Sequence, residues 1–161
     1  MIQITLKLDL PEIVYDIQNK TYLTGKSRRQ GANHEQVANM QANDDDENAN
    51  QIYRSIGAAF AKLKMKLSEY LELVDTTVSN ELISPDTGLE LTLRMPGNFN
   101  TSTSSTLVEA AHEYIVSMAI ADWFEITDKA DADVYAHKSE ECLKVIAEAA
   151  SKRLRPRRAR S

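Results

Sequence analysis

SSTLVEAAHEYIVSMAIADWF, residues 104–124, is the stretch that decides the fold. Leu107, Val108, Ala111, Tyr114, Ile115, Met118 and Ala119 recur at helical steps, and the apolar residues cover much of the circumference instead of one stripe. A helix apolar on most sides is one that other elements surround, so the spacing predicts a central helix running to about Phe124. The polar run Asn100–Ser105 leads into it and supplies several candidate caps. Ala121–Ile126 joins this helix to the next and holds the only tryptophan. Trp123 and Phe124 read as the anchor of that helix corner, since aromatic side chains carry large buried area in a defined geometry.

On the C-terminal side, Thr127 or Asp128 starts a last helix with Val134, Tyr135, Cys142, Val145, Ile146 and Ala149 on its inner side. On the N-terminal side, Ile52, Ile56, Phe60, Leu63, Leu67, Leu71 and Val74 recur at steps of three and four. That pattern predicts a long amphipathic helix over about 47–75. One short partner cannot cover it, so the expectation is that several elements or a neighbouring subunit pack on it. Residues 1–8, MIQITLKL, alternate as a half-buried strand does. Asp9-Leu10-Pro11 then signals a helix start, continuing to about Lys20 and ending before Gly25. Leu82-Ile83, the turn Ser84–Gly88 and the alternating Leu89, Leu91 and Leu93 read as a β-hairpin. Two strands alone are marginal in water, so the hairpin must join residues 1–8 or another chain.

The fold class that follows is mainly α (α+β): four helices, an N-terminal strand and a β-hairpin in a single domain, 1–151, followed by a basic segment, 152–161. Residues 25–50 are rich in Gly, Asn, Gln and Asp and read as a polar flexible loop, with Asp44–Glu47 favouring the start of the next helix.

The chain has 161 residues, 42% hydrophobic and 27% charged, an ordinary balance for a soluble globular domain. No apolar run approaches the roughly 20 residues of a membrane span, and the first residues lack the basic-then-apolar order of a signal peptide. A lone cysteine, Cys142, excludes an internal disulfide. An intracellular place of assembly is therefore expected. The net charge of −5 conceals a division: KRLRPRRARS, residues 152–161, carries six basic side chains and no acid. Residues 1–151 are left with 13 basic against 24 acidic groups, about −11. An acidic body with a basic tail is drawn to an acidic partner through that tail, whether nucleic acid or an electronegative protein surface.

Catalytic readings fail on spacing. Thr24-Gly25-Lys26-Ser27 lacks the glycine a phosphate loop needs five residues earlier, where Lys20 stands. Glu109 and His112 put a carboxylate and an imidazole one turn apart, but a di-iron bundle needs this pair twice. His137 with Glu140 and Glu141 fits an exposed helix face, and Cys142 among apolar positions reads as a small packed thiol. No catalytic residue, metal or cofactor is expected.

The C-terminal half resembles a known pattern. An apolar helix ending in Asp122-Trp123-Phe124, then Ile126-Thr127, an alanine-rich helix with Ala132, Tyr135 and Ala136, then Val145-Ile146 and Lys152-Arg153-Leu154-Arg155-Pro156 are similar to head–tail connector (adaptor) proteins of tailed phages and prophages. The resemblance spans about residues 85–156. It implies a non-enzymatic virion protein: a helical protomer with a β-hairpin, assembled as a twelvefold ring beneath the portal at the capsid vertex, around the DNA channel. It also implies that Arg153, Leu154, Arg155, Pro156, Arg157, Arg158 and Arg160 dock on the portal protein, that a tail or stopper protein binds below, and that Leu89, Leu91 and Leu93 serve contacts between subunits. An acidic or neutral lumen would suit a conduit, because it lets the duplex slide. A tail terminator or tail-completion protein is a close alternative, and a DNA-binding packaging accessory acting through the arginines is another. The strand at 1–8 and the segment 25–50 lie outside the resemblance.

Overall fold

A computed structural model describes residues 1–29, 31–72 and 78–158. It is mainly helical, with a two-stranded antiparallel sheet. In chain order the elements are β1 (Ile2–Leu8), α1 (Leu10–Ser27), α2 (His34–Met40), α3 (Asp46–Lys66), β2 (Leu89–Met95), a short 3₁₀ turn (Thr101–Thr103), α4 (Ser104–Thr127) and α5 (Lys129–Ser151).

The central position of α4 follows from its composition. Leu107, Ala111, Ile115, Val116, Ala119, Ile120 and Phe124 are fully buried, and α5, α3, α1 and the sheet all pack on it. β1 and β2 pair along their whole length, from Ile2 opposite Met95 to Leu8 opposite Leu89. Their alternation sends Leu6, Leu8, Leu89, Leu91, Leu93 and Met95 into the core and leaves Thr5, Lys7, Glu90 and Arg94 outside. Asp9 caps α1 by accepting from the Glu12 amide, and Pro11 sits in its first turn. Asp128 ends α4 and caps α5, accepting from the Ala130 amide.

Several expectations change. The segment 25–50 is not a loop throughout: α1 runs on through Ser27, α2 fills 34–40, and α3 begins at Asp46. The helix count among the described residues rises to five because α2 buries Val37 and Met40, and Ala42 follows them into the core. Gly25 permits this close approach, since a Cβ there would lie 3.0 Å from the Val37 carbonyl oxygen. The turn at Ser84–Thr87 forms, with the Thr87 amide donating to the Ser84 carbonyl, but Leu82-Ile83 does not ladder with the strand that follows. β2 does pair with residues 1–8 as expected: β1 is a seven-residue partner that completes every rung.

The long helix is also shorter than its periodicity. α3 stops at Lys66, and the backbone turns so that Leu71 bridges Leu93, the Arg94 amide donates to Tyr70 and the Glu72 amide donates to Thr92. Leaving the helix gives the second edge of β2 hydrogen-bond partners, which an unbroken helix could not supply. Residues 73–75 of the expected helix, and Thr76 and Thr77, lie outside the described residues. Finally, Ile52, Ile56, Ala59, Leu63 and Leu67 are all buried within one chain. The apolar face of α3 is covered chiefly by α4, with α5 beside it, so no second subunit is needed to cover it.

Candidate functional site

Two features outside the core concentrate chemistry: a polar seam where α1 meets α4 and α5, and the C-terminal segment beside a groove between α4 and α5.

The seam arises from a four-residue repeat on α1. Asp16, Lys20, Thr24 and Arg28 fall on one helical face, and each meets a polar partner about a hundred residues away. Asp16 Oδ2 accepts from His112 Nε2 at 2.6 Å. Lys20 Nζ donates to Glu113 Oε2 at 3.0 Å, and Lys138 of α5 approaches the same oxygen at 3.6 Å. Thr24 Oγ1 and the Tyr135 hydroxyl are 2.9 Å apart. Arg28 donates twice to Asp131, at 2.6 and 3.2 Å. That two-pronged contact is the strongest kind of side-chain pairing available to a carboxylate. Donation by the Arg28 guanidinium holds the buried Asp131 carboxyl below the ordinary carboxylate range.

His112 therefore faces Asp16 on α1, while Glu109, its expected companion, belongs to the α4–α5 groove. Asp16, His112 and Glu113 do bring ligand atoms within 4.8 Å of one another. Two ammonium groups already neutralise Glu113, so the donor set is that of an ion-pair network and disfavours a further cation.

The groove has a volume of about 530 Å³. Ala110, Cys142 and Val145 supply its apolar lining, with Val145 41% exposed. Glu109, Glu113 and Glu141, against the single cation Lys138, give it a net acidic rim. Glu109 makes no ion pair among the described residues, and Glu141 has only an exposed 3.5 Å approach to His137. Burial pushes the Cys142 thiol up, which keeps it protonated and weakly nucleophilic at neutral pH.

The C-terminal segment leaves α5 at Ser151 and is fastened at its root. The Asn100 amide donates to the Lys152 carbonyl at 3.0 Å, the Leu154 amide donates to Asn98 at 2.7 Å, and Arg153 bridges Phe99. Arg153 also donates to the Ala150 and Lys152 carbonyls. Beyond this root Arg155, Pro156, Arg157 and Arg158 are exposed, as is Leu154 at 56%. Arg160 lies outside the described residues.

The remaining sequence candidates take structural places. Trp123 is buried and donates from Nε1 to the Met40 carbonyl at 2.7 Å, tying the end of α2 to α4. Phe124 is fully buried with its ring 5.5 Å from that of Tyr135. Both sit in the last turns of α4, which extends to Thr127, and not in a connecting segment. Leu89, Leu91 and Leu93, expected between subunits, are at most 2% exposed within the single chain. The alternation of β2 turns them inward against the helices, so they are core residues. Thr24-Gly25-Lys26-Ser27 is the helical end of α1 and not a phosphate-binding loop.

Sequence reasoning missed the seam and the groove. The α1 half of the seam carries a signal in the spacing 16, 20, 24, 28; the partners on α4 and α5 carry none. No family model, curated protein or solved structure matches the chain.

Proposed function

We propose that the chain is a structural connector of the head–tail adaptor class, working as a homo-oligomeric ring at the portal vertex of a virion. In this reading the ring extends the DNA channel, the portal protein lies above it and a tail or stopper protein below. Twelvefold symmetry is what the sequence resemblance implies. The observation that carries the reading is the C-terminal segment: its root is fixed by backbone hydrogen bonds to residues 98–100, and the arginines beyond it are exposed. A rooted, exposed basic arm on an acidic body is built for docking on an electronegative surface, since the fixed root reduces the ordering cost of binding.

Because the core is complete within one chain, assembly in this reading depends on surface contacts, not on burying an unfinished face. The protomer then folds first and assembles second. No helix among the described residues is long and apolar enough to cross a membrane, and the reading needs none.

Co-purification with the cognate portal protein, followed by negative-stain imaging, tests the proposal. Portal-bound rings that disappear when residues 155–161 are deleted are the expected result. The exposure of Arg155, Arg157 and Arg158 also suits a DNA-binding accessory. A gel shift at physiological salt that depends on the same residues, with no portal binding, would establish that second reading instead.

A further inference from the structure

The groove between α4 and α5 and the C-terminal segment are complementary in three respects. The rim carries Glu109, Glu113 and Glu141 against one cation, Lys138, while residues 153–158 include Arg153, Arg155, Arg157 and Arg158 and no acid. The lining offers exposed apolar surface at Val145, and the segment presents exposed Leu154 together with Pro156. The carboxylates with capacity left are Glu109 and Glu141, since Glu113 is held by Lys20 and Lys138. Arginine suits such a site because its planar fork pairs with carboxylates while its stem packs on apolar surface.

We propose that the α4–α5 groove is the receptor for residues 154–158 of a second copy of this chain. The chain's own segment is the nearer candidate by sequence, yet with its root fastened to residues 98–100 it stands exposed instead of lying on its own groove. A contact between two different patches, tail on one copy and groove on the next, is heterologous, and such a contact repeats into a ring when its rotation closes. Pairing among exposed charges is weak singly and screened by salt. The association is therefore concentration-dependent and loosens as salt rises. The inference needs only a second copy and does not rest on the portal reading. A segment seated in a neighbour's groove is not free for a portal, so the two contacts compete for residues 154–158, and portal binding without self-association would overturn this inference and leave portal docking standing.

The test mixes two broken variants of the full protein. One is deleted after Leu154; the other carries Glu109→Lys and Glu141→Lys. Both are confirmed as folded by circular dichroism and sized by sedimentation velocity at about 50 mM salt, a low-screening condition. Wild type is expected to form oligomers, each variant alone to stay monomeric, and the mixture to yield a one-to-one pair and nothing larger, because only one intact junction can form. A second readout uses the lone thiol in the groove. Wild type is mixed with the double variant Cys142→Ser/Arg157→Cys, with copper–phenanthroline as oxidant. The expected product is a disulfide between copies, joining wild-type Cys142 to the thiol introduced at position 157. Monomeric wild type at every concentration, failure of the two folded variants to pair, or an internal disulfide in the single variant Arg157→Cys without any mixed product would overturn the proposal.

Discussion

The two sides of α4 are built on opposite principles. Toward α3 and the sheet, its Leu, Ile, Val and Phe side chains join one apolar cluster with Ile56, Leu63, Leu91 and Leu93, the polar exceptions being the buried Ser117, and Asp122, which hydrogen-bonds Ser55. Toward α1 it pairs His112 with Asp16 and Glu113 with Lys20, and the α1 row, spaced one helical turn apart, continues onto α5, where Thr24 meets Tyr135 and Arg28 meets Asp131. Apolar contacts are non-directional and tolerate sliding. The polar rungs do not: shifting α1 by one turn would set Asp16 against Glu113 and Lys20 against Tyr135. The apolar side supplies most of the stability, and the polar side fixes which turn of α1 faces which turn of its neighbours.

Substitutions break or sharpen this contrast to different degrees. The largest effect falls on the apolar side. Leu63→Ala or Phe124→Ala removes a fully buried side chain from a packed core and is expected to cost about 2–5 kcal/mol in urea unfolding. Trp123→Phe comes next, at roughly 1–2 kcal/mol, because it removes the donor to the buried Met40 carbonyl. Hydrogen exchange should show the loss concentrated in α2, whose attachment depends on that bond.

Arg28→Ala tests the polar side and carries a pH signature. The Asp131 carboxyl is held below its unfolded value by donation from Arg28, so the stabilisation is fully present above about pH 4 and fades as pH falls through the depressed folded value. The variant should have a lower urea midpoint than wild type at pH 7, and the gap should close on acidification. A gap independent of pH would assign the effect to packing of the arginine stem. The smallest change is expected at Ser117→Ala. Its buried Oγ has no hydrogen-bond partner, so truncation should leave stability unchanged or raise it by up to about 1 kcal/mol.

The same contrast explains what can be read from the sequence. α4, α5 and the alternation of β1 are legible because apolar periodicity reports burial directly. α2 is not, since HEQVANM offers only Val37 and Met40 as large apolar residues in seven positions. A helix that short does not persist alone; it exists here because the Trp123 bond holds it to α4, while the Ala42 amide, donating to Thr21 Oγ1, and the close approach at Gly25 hold it to α1. The hairpin expectation holds for its second strand, which joins residues 1–8, and fails for Leu82-Ile83. The turn chemistry at Ser84–Thr87 is plain in the sequence, but a turn does not decide which strand pairs with the residues beyond it, and β1 offers the longer ladder. Of the site, the basic segment is visible as composition. The acidic groove that faces the same chemistry combines Glu109 with Glu141 from separate helices, and no local pattern announces such a meeting.

The pairing of β1 with β2 has a consequence for synthesis. Ile2 meets Met95, and Leu8 meets Leu89, so β1 is completed only by a strand emerging some ninety residues after it. At about 5–20 residues per second, translation leaves that apolar ribbon unpaired for roughly 5–20 s on the ribosome. During this interval Ile2, Ile4, Leu6 and Leu8 are apolar surface that a nascent-chain chaperone would meet, and premature termination before residue 89 would release a fragment whose β1 has no mate.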